Sequence, residues 1–151
     1  QGTEWNHHQA LDWYVLDYAN HKGVSNLIRD LNSLYVNSPQ LYKYEFEPQG
    51  FQWIDCNDHE QSIISYLRKS GDDIYVVVLN LTPVKRDNYR IGVPYEGEYN
   101  EILNSDSSYY AGSNVGNNTI VKTDNISWME FPYSLKLVLP PLGAIILSPI
   151  K

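Results

Sequence analysis

A series of short apolar runs after Gly50 constrains the fold of this chain more than any other feature of its sequence. The runs are rich in Val, Ile and Tyr, and Gly, Asn, Asp and Pro residues separate them. Such runs are typical of β-strands joined by turns. A parallel sheet would need a helix at each crossover, and no helical pattern lies between the runs. We therefore predict an antiparallel β-sandwich with Greek-key connections, and its strands are expected at 51–56, 62–69, 73–81, 88–93, 97–104, 134–140 and 143–148.

The composition of these runs also predicts which residues form the core. The run 73–81 is apolar almost throughout, so it is expected to be a central strand that is covered on both faces. Trp53 alternates with Phe51 in the first strand, which favours the core for its indole. Trp128 is expected at the edge of the core or, alternatively, as an exposed platform. The predicted core contains Ile54, Ile64, Val76, Val78, Leu137 and Ile145.

A helical pattern precedes the strands. Between Gly23 and Leu41, apolar residues recur at the i, i+3, i+4, i+7 spacing of an amphipathic helix. The helix is expected to span 23–37, because Pro39 disfavours a helical backbone at Ser38. Its apolar stripe is too wide to remain in water, so we expect it to dock partly on the β-sandwich or, alternatively, on a surface outside this chain, such as a neighbouring copy. The stripe consists of Val24, Leu27, Ile28, Leu31, Leu34 and Tyr35.

The change of pattern near residue 48 divides the chain into two segments. Residues 1–47 hold an aromatic, irregular start and the helix, and residues 48–151 hold the all-β domain. A single amphipathic helix after a loop cannot enclose a core of its own. We therefore expect the first segment to belong to a larger structure.

The charge and the cysteine content exclude several classes of partner. The formal net charge of −7 argues against nucleic acid and against an anionic membrane surface, since both attract clustered Lys and Arg. No apolar stretch approaches the roughly 20 residues of a membrane span. The single cysteine, Cys56, cannot form an internal disulfide, which agrees with a cytoplasmic location. Cys56 is expected to be a small buried or half-buried strand residue rather than a nucleophile.

The first thirteen residues, QGTEWNHHQALDW, hold several groups that could carry chemistry. His7 and His8 are adjacent and point in different directions, and no other His or Cys lies at ligand spacing, so no metal site is expected. Glu4 and Asp12 could form an acid/base pair across a sugar, but they lie in a loop without a scaffold. The stretch 112–118 lacks the flanking strand and the Lys-bearing helix of a phosphate loop, and we interpret it as a turn.

Two tryptophans, Trp5 and Trp13, bracket this N-terminal loop. Aromatic faces stack on the apolar faces of sugar rings as readily as on each other. Because the loop has no core of its own, lining a cleft and packing in a core are equally open for both residues. The residues by themselves do not identify a reaction.

The order and spacing of short motifs in the β-domain resemble those of a known family. The stretch from Leu79 to Asn117 contains N-x-T-P-V, Y-R-x-G-V-P, E-I-L-N-x-D and G-S-N-x-G-N in that order. In order and spacing it resembles the C-terminal domain of bacterial 1,4-α-glucan branching enzymes, in the α-amylase superfamily. GTEWNHHQALDW is similar to the loop after the last strand of the (β/α)8 barrel in these enzymes, and GVSNLIRDLNSLY to the barrel's last helix. Ser105, where threonine is usual, and Ala111, where glycine is common, are small departures.

The resemblance implies a function and a division of labour. Residues 1–47 would be the last loop and helix of a catalytic barrel, and 48–151 the C-terminal β-sandwich. The family cuts an α-1,4 bond through a covalent glucosyl-enzyme and passes the chain to a 6-hydroxyl, which makes α-1,6 branches in glycogen. The family's catalytic carboxylates lie on earlier barrel strands, so no catalytic residue, cofactor or metal is expected here.

The same resemblance implies candidate substrate-binding residues. The loop after the last strand contributes to the mouth of a barrel, so Trp5 and Asn6 would lie where an α-1,4-glucan passes, and Trp13 would bind glucan or brace the loop. A rival hypothesis is a carbohydrate-binding module that keeps α-glucan affinity by itself. Exposed aromatic residues in a row on one sheet face would favour the module, and a buried set would favour a structural role.

Overall fold

The computed structural model describes residues 2, 4–117 and 120–150. Two α-helices come first, α1 (Ala19–Asn37) and α2 (Pro39–Tyr42). The described residues then form eight strands: β1 (Phe51–Asp58), β2 (Ile63–Ser70), β3 (Asp73–Asn80), β4 (Arg86–Val93), β5 (Glu98–Asn104), β6 (Ile120–Lys122), β7 (Tyr133–Leu139) and β8 (Gly143–Pro149). All seven predicted strands are present. The sequence pattern missed β6, because three residues are too few to show alternation.

The strands form two antiparallel sheets. The large sheet has the order β1-β2-β3-β8-β5-β6, and β4 pairs with β7 in the small sheet. The chain passes between the sheets before and after β4 and again before and after β7, so the predicted antiparallel Greek-key sandwich is confirmed. The strand predicted to be central, β3, pairs with β2 on one side and β8 on the other.

The main core lies between the two sheets and is built from aliphatic side chains. The predicted core residues Ile54, Val76, Val78, Leu137 and Ile145 are all buried there. The small sheet contributes further side chains from β4 and β7, and Tyr99 and Phe131 are the aromatic residues buried in this cluster. The predicted core is therefore largely confirmed.

Two core assignments were wrong, and both came from a slip of one residue. In β2 the side chains that point inward are Ile63, Ser65 and Leu67, so Ile64 lies on the outer face and is half-buried. The buried polar Ser65 conceals the alternation, because both faces of this strand carry apolar and polar residues. In β1 the inward residue is Ile54, and its neighbour Trp53 therefore points outward, half exposed.

Helix α1 covers the outer face of the large sheet. Leu27, Leu31 and Leu34 pack against a second cluster, which consists of Val77, Leu103 and Ile146. The expected docking of the helix on the sandwich is confirmed, and so is its end at Asn37, where Ser38 is extended with φ −125°. The helix begins four residues before the predicted start, because its first turn carries no apolar periodicity. Part of the stripe, including Val24 and Ile28, remains exposed.

A 3-10 turn at Ser108–Tyr110 fastens the first half of α1 to the sandwich. The Tyr110 hydroxyl donates a hydrogen bond to Asp30 (3.0 Å). Burial, together with this hydrogen bond, raises the pKa of Tyr110 to about 12, so the phenol is a donor at neutral pH. Gly23 lies directly against the Tyr110 carbonyl, and a Cβ at this position would overlap its oxygen.

Two hydrogen bonds fasten the region after α1 to the large sheet. The hydroxyls of Ser38 and Tyr75 are 2.9 Å apart, and the Arg68 guanidinium donates to the Leu41 carbonyl (2.6 Å). The 3-10 turn thus holds the first half of α1, and these two hydrogen bonds hold the segment that follows it to the sheet.

Asn80, which is 1% exposed, organises the connection between β3 and β4. Its side-chain nitrogen donates to the carbonyl oxygens of Val84 (2.8 Å) and Pro140 (2.9 Å). Its side-chain oxygen accepts from the Thr82 amide (3.1 Å) and hydroxyl (2.8 Å). One buried amide therefore pairs the polar groups of two turns that the sheets cannot pair.

We predict that Gly23→Ala destabilises the protein by about 1–3 kcal/mol, because the added methyl group pushes α1 away from the Tyr110 carbonyl. Helix propensity alone predicts the opposite effect, a gain in the free energy of unfolding of up to about 1 kcal/mol, because alanine favours a helix more than glycine does. Urea unfolding measures the change. Ser25→Ala, at an exposed position of the same helix, is the matched control and should be nearly neutral. A stabilised Gly23→Ala variant would show that the contact is absent.

We predict that Asn80→Ala lowers the free energy of unfolding by about 2–4 kcal/mol, since it removes the donor of a buried hydrogen bond to the Pro140 carbonyl and of a part-buried one to the Val84 carbonyl. Asn20→Ala, at an exposed position of α1, is the control and should change stability by less than about 0.5 kcal/mol. Thermal and urea unfolding followed by circular dichroism measure both. Equal effects of the two substitutions would contradict the bridging role of Asn80.

Candidate functional site

The segment before α1 lies almost entirely in solvent. Among its described residues, none before Gly23 is buried. A 3-10 turn at Trp13–Asp17 leads into α1. The segment exposes five large apolar or aromatic side chains: Trp5, Leu11, Trp13, Tyr14 and Tyr18. An exposed set of this kind is typical of a contact surface rather than of a core.

Two of the three predicted substrate-binding residues line one concavity in this segment. Trp5 and Asn6, with Glu4, His7 and neighbouring loop residues, surround an open space of about 870 Å³. Trp5 is 99% exposed and has a left-handed backbone, φ 56°, which is unusual for a large side chain. The Asn6 side-chain oxygen accepts a hydrogen bond from the His8 amide (3.1 Å). The indole of Trp5 therefore has no packing that would explain its position.

Trp13, the third predicted residue, lies outside this concavity. It begins the 3-10 turn, its amide donates to the Leu11 carbonyl (2.8 Å), and its side chain is 68% exposed. The structure thus brings Trp5 and Asn6 together and leaves Trp13 on the adjoining surface.

The other candidates in this loop do not form a chemical site. The rings of His7 and His8 contact each other, with centroids 3.8 Å apart, so the expectation that they point in different directions was wrong. Asp12 accepts a hydrogen bond from the Gly2 amide (2.9 Å), while Glu4 is exposed. Within residues 2, 4–117 and 120–150, no group of three or more His, Cys, Asp or Glu is arranged to hold a metal ion. In the same ranges, no helix has both the length and the hydropathy of a bilayer-spanning segment.

A row of aromatic side chains on the outer face of the large sheet was not predicted. Trp53 is paired with Tyr66 across β1 and β2. Phe51 stacks on Tyr66 (centroids 5.2 Å apart) and meets Trp53 edge-on (4.8 Å). Trp53 is 50% exposed, so the expectation that it lies in the core was wrong. The opposite directions of neighbouring strand residues could have revealed this, because an inward Ile54 requires an outward Trp53.

Two further side chains also differ from expectation. Trp128 is 44% exposed, so it does not occupy the favoured core position. The alternative of an exposed platform is observed instead. Cys56 was expected to be buried or half-buried, but it is exposed. It lies in an edge strand next to a register shift of the β1–β2 pair, where the regular alternation of inward and outward positions is interrupted.

The motif-rich segment 104–117 builds a loop, not a catalytic group. The Asp106 carboxylate accepts hydrogen bonds from the Ser113 amide (2.9 Å) and hydroxyl (2.7 Å) and from the Val115 amide (2.9 Å). The Asn104 side-chain oxygen accepts from the Asp106 amide (2.9 Å). These hydrogen bonds close the turn that the sequence predicted at 112–118, of which residues 112–117 are described.

Asn117 ends this loop and joins it to both sheets. Its side-chain nitrogen donates to Glu101 (2.7 Å) on β5 and to the Val138 carbonyl (3.0 Å) on β7. Its side-chain oxygen accepts from the Val138 amide (2.9 Å). Asn117 therefore takes the place of a neighbouring strand at this point of β7.

An antiparallel sandwich with an amphipathic helix on one outer face defines an all-β domain whose exposed aromatic residues are its candidate contact sites. The chain belongs to the family described as alpha amylase, C-terminal all-beta domain, whose profile matches residues 53–150. The crystal structure of CldA, described as the first cyclomaltodextrin glucanotransferase with a three-domain ABC distribution, has a similar fold. Its TM-score is 0.50 at 13% identity, over 87% of this chain and 22% of that one.

Curated relatives are much more similar in sequence. The 1,4-alpha-glucan branching enzyme GlgB of Nitrosococcus oceani is 54% identical over 97% of this chain. The GlgB enzymes of Methylococcus capsulatus and Cellvibrio japonicus are 53% and 51% identical over 99% and 98% of it. In each case the match covers 20% of the relative, so the chain spans about a fifth of the length of these proteins.

We predict that Asp106 stabilises the loop through its charge. Burial raises the pKa of this carboxyl, but the hydrogen bonds from Ser113 and Val115 together lower it by more. Its pKa therefore lies below the ordinary value. A depressed pKa contributes stability above the unfolded-state pKa, near 4, and this stability is lost as the pH falls through the folded-state pKa. Asp106→Asn should therefore be less stable than the wild type at pH 7, with a difference that narrows toward pH 3. Urea unfolding at both pH values tests this, and a constant difference would contradict it.

Proposed function

We propose that this chain serves as the C-terminal part of a 1,4-α-glucan branching enzyme, which forms α-1,6 branches in glycogen by retaining transglycosylation of α-1,4-glucan chains. The observation that carries the proposal is the sequence identity of 51–54% with three enzymes of that name over 97–99% of the chain. Identity at this level along nearly all residues favours the same role in a longer protein. The proposed location of that protein is the cytoplasm, with neither nucleic acid nor membrane as a partner.

In this proposal the chain supplies no catalytic residue. The covalent step needs a carboxylate nucleophile and a carboxylic acid held about 5 Å apart. The acidic residues of the N-terminal loop do not support such a pair, because Glu4 is exposed and Asp12 already accepts a hydrogen bond from the backbone. The catalytic carboxylates would belong to a barrel domain, and the chain alone would neither branch nor hydrolyse glucan.

We assign residues 1–47 to the last loop and helix of that barrel and residues 48–151 to the C-terminal β-sandwich. The exposed part of the α1 stripe supports this assignment. Val24 and Ile28 are 60% and 52% exposed, although they continue the apolar face that docks on the large sheet. A barrel surface that covered them would bury the remainder of the stripe. The helix would then lie between the barrel and the sandwich.

Trp5, Asn6 and Trp13 are the proposed substrate-binding residues of this segment. The exposed indole of Trp5 offers a flat apolar face for a glucose ring, and the Asn6 amide beside it can bond a hydroxyl. Stacking on an aromatic face tolerates several registers of a regular chain, which suits an enzyme that handles long glucans. Trp13, on the adjoining surface, would extend this contact or brace the loop against the barrel.

A second candidate function is an independent carbohydrate-binding module. The observation that favours it is the row formed by Phe51, Trp53 and Tyr66 on one sheet face, with Trp53 half exposed. The two functions are compatible, because a non-catalytic domain can hold glucan near an active site. Binding of maltoheptaose by the isolated chain, with and without residues 1–47, distinguishes a module from a purely structural domain.

We predict that this chain can replace the corresponding fifth of the Nitrosococcus oceani enzyme with branching activity largely preserved. A high identity over the whole segment should keep the contacts between the domains intact. Iodine staining of amylose measures branching, with the parent enzyme as the positive control and the isolated chain as the negative one. A folded but inactive chimera, or branching by the isolated chain, would contradict the proposed function.

We predict that Trp5→Ala in the active chimera lowers activity on amylose about tenfold with an unchanged melting temperature, since the side chain is exposed and packs on nothing in this chain. The matched control is Leu142→Ala, which removes another highly exposed apolar side chain, from the turn between β7 and β8. A large drop in melting temperature with normal activity per folded molecule would instead show that Trp5 plugs the rim of the barrel.

A further inference from the structure

A cleft of about 380 Å³ lies beside Trp128, between the end of β1 and strand β4. The indole forms one wall, and Asp55, Asp58 and Asp87 lie around it. Strand β4 belongs to the small sheet, which covers the face of the large sheet opposite α1. The cleft is therefore remote from the helix and from the surface that we assign to barrel contact.

The position of Trp128 is fixed although its side chain is half exposed. Its amide and carbonyl both pair with Phe131 (3.0 and 2.9 Å), which is buried in the core. The residues between them, Met129 and Glu130, both have positive φ, 49° and 65°, at a cost of about 1–2 kcal/mol each for side chains of this kind. The Trp128 carbonyl rests on Gly92, where a Cβ would overlap it. Positive φ at both central residues is the geometry of a two-residue hairpin turn, and this turn fixes the backbone that carries the half-exposed indole.

The polar side of the cleft is also fixed. The Asp58 carboxylate accepts hydrogen bonds from the Tyr89 hydroxyl (2.7 Å), the Gln61 amide (3.0 Å) and the Gln61 side chain (3.2 Å). Burial and this hydrogen bond raise the pKa of Tyr89, so its hydroxyl stays protonated and continues to donate. The cleft is thus lined by a carboxylate whose orientation is fixed and by Trp128.

The charges decide which ligands suit this cleft. The carboxylates of Asp55 and Asp58 repel an anion, whereas Asp87 forms an ion pair with Lys85 (2.7 Å). The single cation among the lining residues, Arg90, is already bound to Asp124 (2.8 Å) and Ser134 (2.5 Å). A flat indole beside several hydrogen-bond acceptors instead suits a neutral ligand with one apolar face and many hydroxyl donors. A sugar ring has this chemistry.

We propose that the cleft beside Trp128 binds an α-1,4-glucan chain, with the indole stacked on a glucose ring and the rim groups Asp87 and Asn88 bonding its hydroxyls. The choice of α-1,4-glucan rests on the proposed function, whereas the choice of a neutral sugar rests on the cleft. Such a site would hold a distant part of a long glucan on the far side of the sandwich from the barrel.

The test uses the full 151-residue chain with Trp5→Phe, Trp13→Phe and Trp53→Phe, which leaves Trp128 as the single one of four tryptophans. All three replaced side chains are at least half exposed, so the fold should persist, and circular dichroism checks it. Titration with maltoheptaose should give a saturable change in tryptophan fluorescence, and cellohexaose should give none. No change with maltoheptaose, or an equal change with cellohexaose, overturns the proposal.

Two matched substitutions test the rim in the same background. Asp87→Ala should weaken maltoheptaose binding at least threefold, whereas Asp72→Ala, an exposed acidic residue in the β2–β3 turn, should leave it unchanged. Equal losses would overturn the assigned rim contact. In the otherwise wild-type chain, Trp128→Ala should lower the apparent affinity for amylose about tenfold, as measured by the mobility of the chain in gels that contain amylose. Trp128→Phe should lower this affinity less than Trp128→Ala does.

Failure of this site and failure of the proposed function give different results. If the chimera is active and Trp128 of the 151-residue chain does not respond to maltoheptaose, the site is overturned and the branching function stands. A folded, inactive chimera together with a specific response of Trp128 overturns the branching function and supports the site.

Discussion

The large sheet is apolar on both faces, and the rest of the structure follows from the need to cover both. In β3, Val76 and Val78 point toward the small sheet, and Val77 points toward α1. A sheet with one wet face would need only one covering layer. Here the small sheet closes the inner face and the helix closes part of the outer face. The helix is thus an integral layer of the fold, even though it precedes the sandwich in sequence.

Buried side-chain amides hold the connections between these layers. Chains that cross between two sheets leave backbone groups that no strand can pair, and each unpaired group would cost about 1–3 kcal/mol. Asn80 pairs such groups at the β3–β4 crossing, and Asn117 pairs both backbone groups of Val138. This accounts for the recognisable motifs of the sequence: they specify loop geometry, and the fold needs asparagine because one side chain must both donate and accept.

The sequence predicted the sandwich, its central strand, most of its core and the docking of α1, because long apolar runs and helical periodicity are strong signals. It was wrong about Ile64 and Trp53, because the pattern alone does not show which face of a strand is inward. Ser65 is polar but buried, and the outer face of the sheet is also apolar, where it meets the helix and carries the aromatic row. It predicted Trp5, Asn6 and Trp13 only through family resemblance, because an exposed loop has no periodicity. The cleft at Trp128 could not be predicted, since it joins residues of β1, β4 and a distant turn.

The four tryptophans reverse the usual preference of this residue for the interior. Their exposed fractions are 99%, 68%, 50% and 44%, while the main core is built almost wholly from Ile, Val and Leu. Tryptophan is highly buried on average, and an exposed indole leaves a large apolar area in water. Packing within this chain therefore covers these indoles only in part. Contacts with a ligand or with another domain would explain the remaining exposure, because each would bury the indole face without changing the aliphatic core. On this view the sandwich is a rigid support whose stability is independent of the aromatic surfaces that it presents.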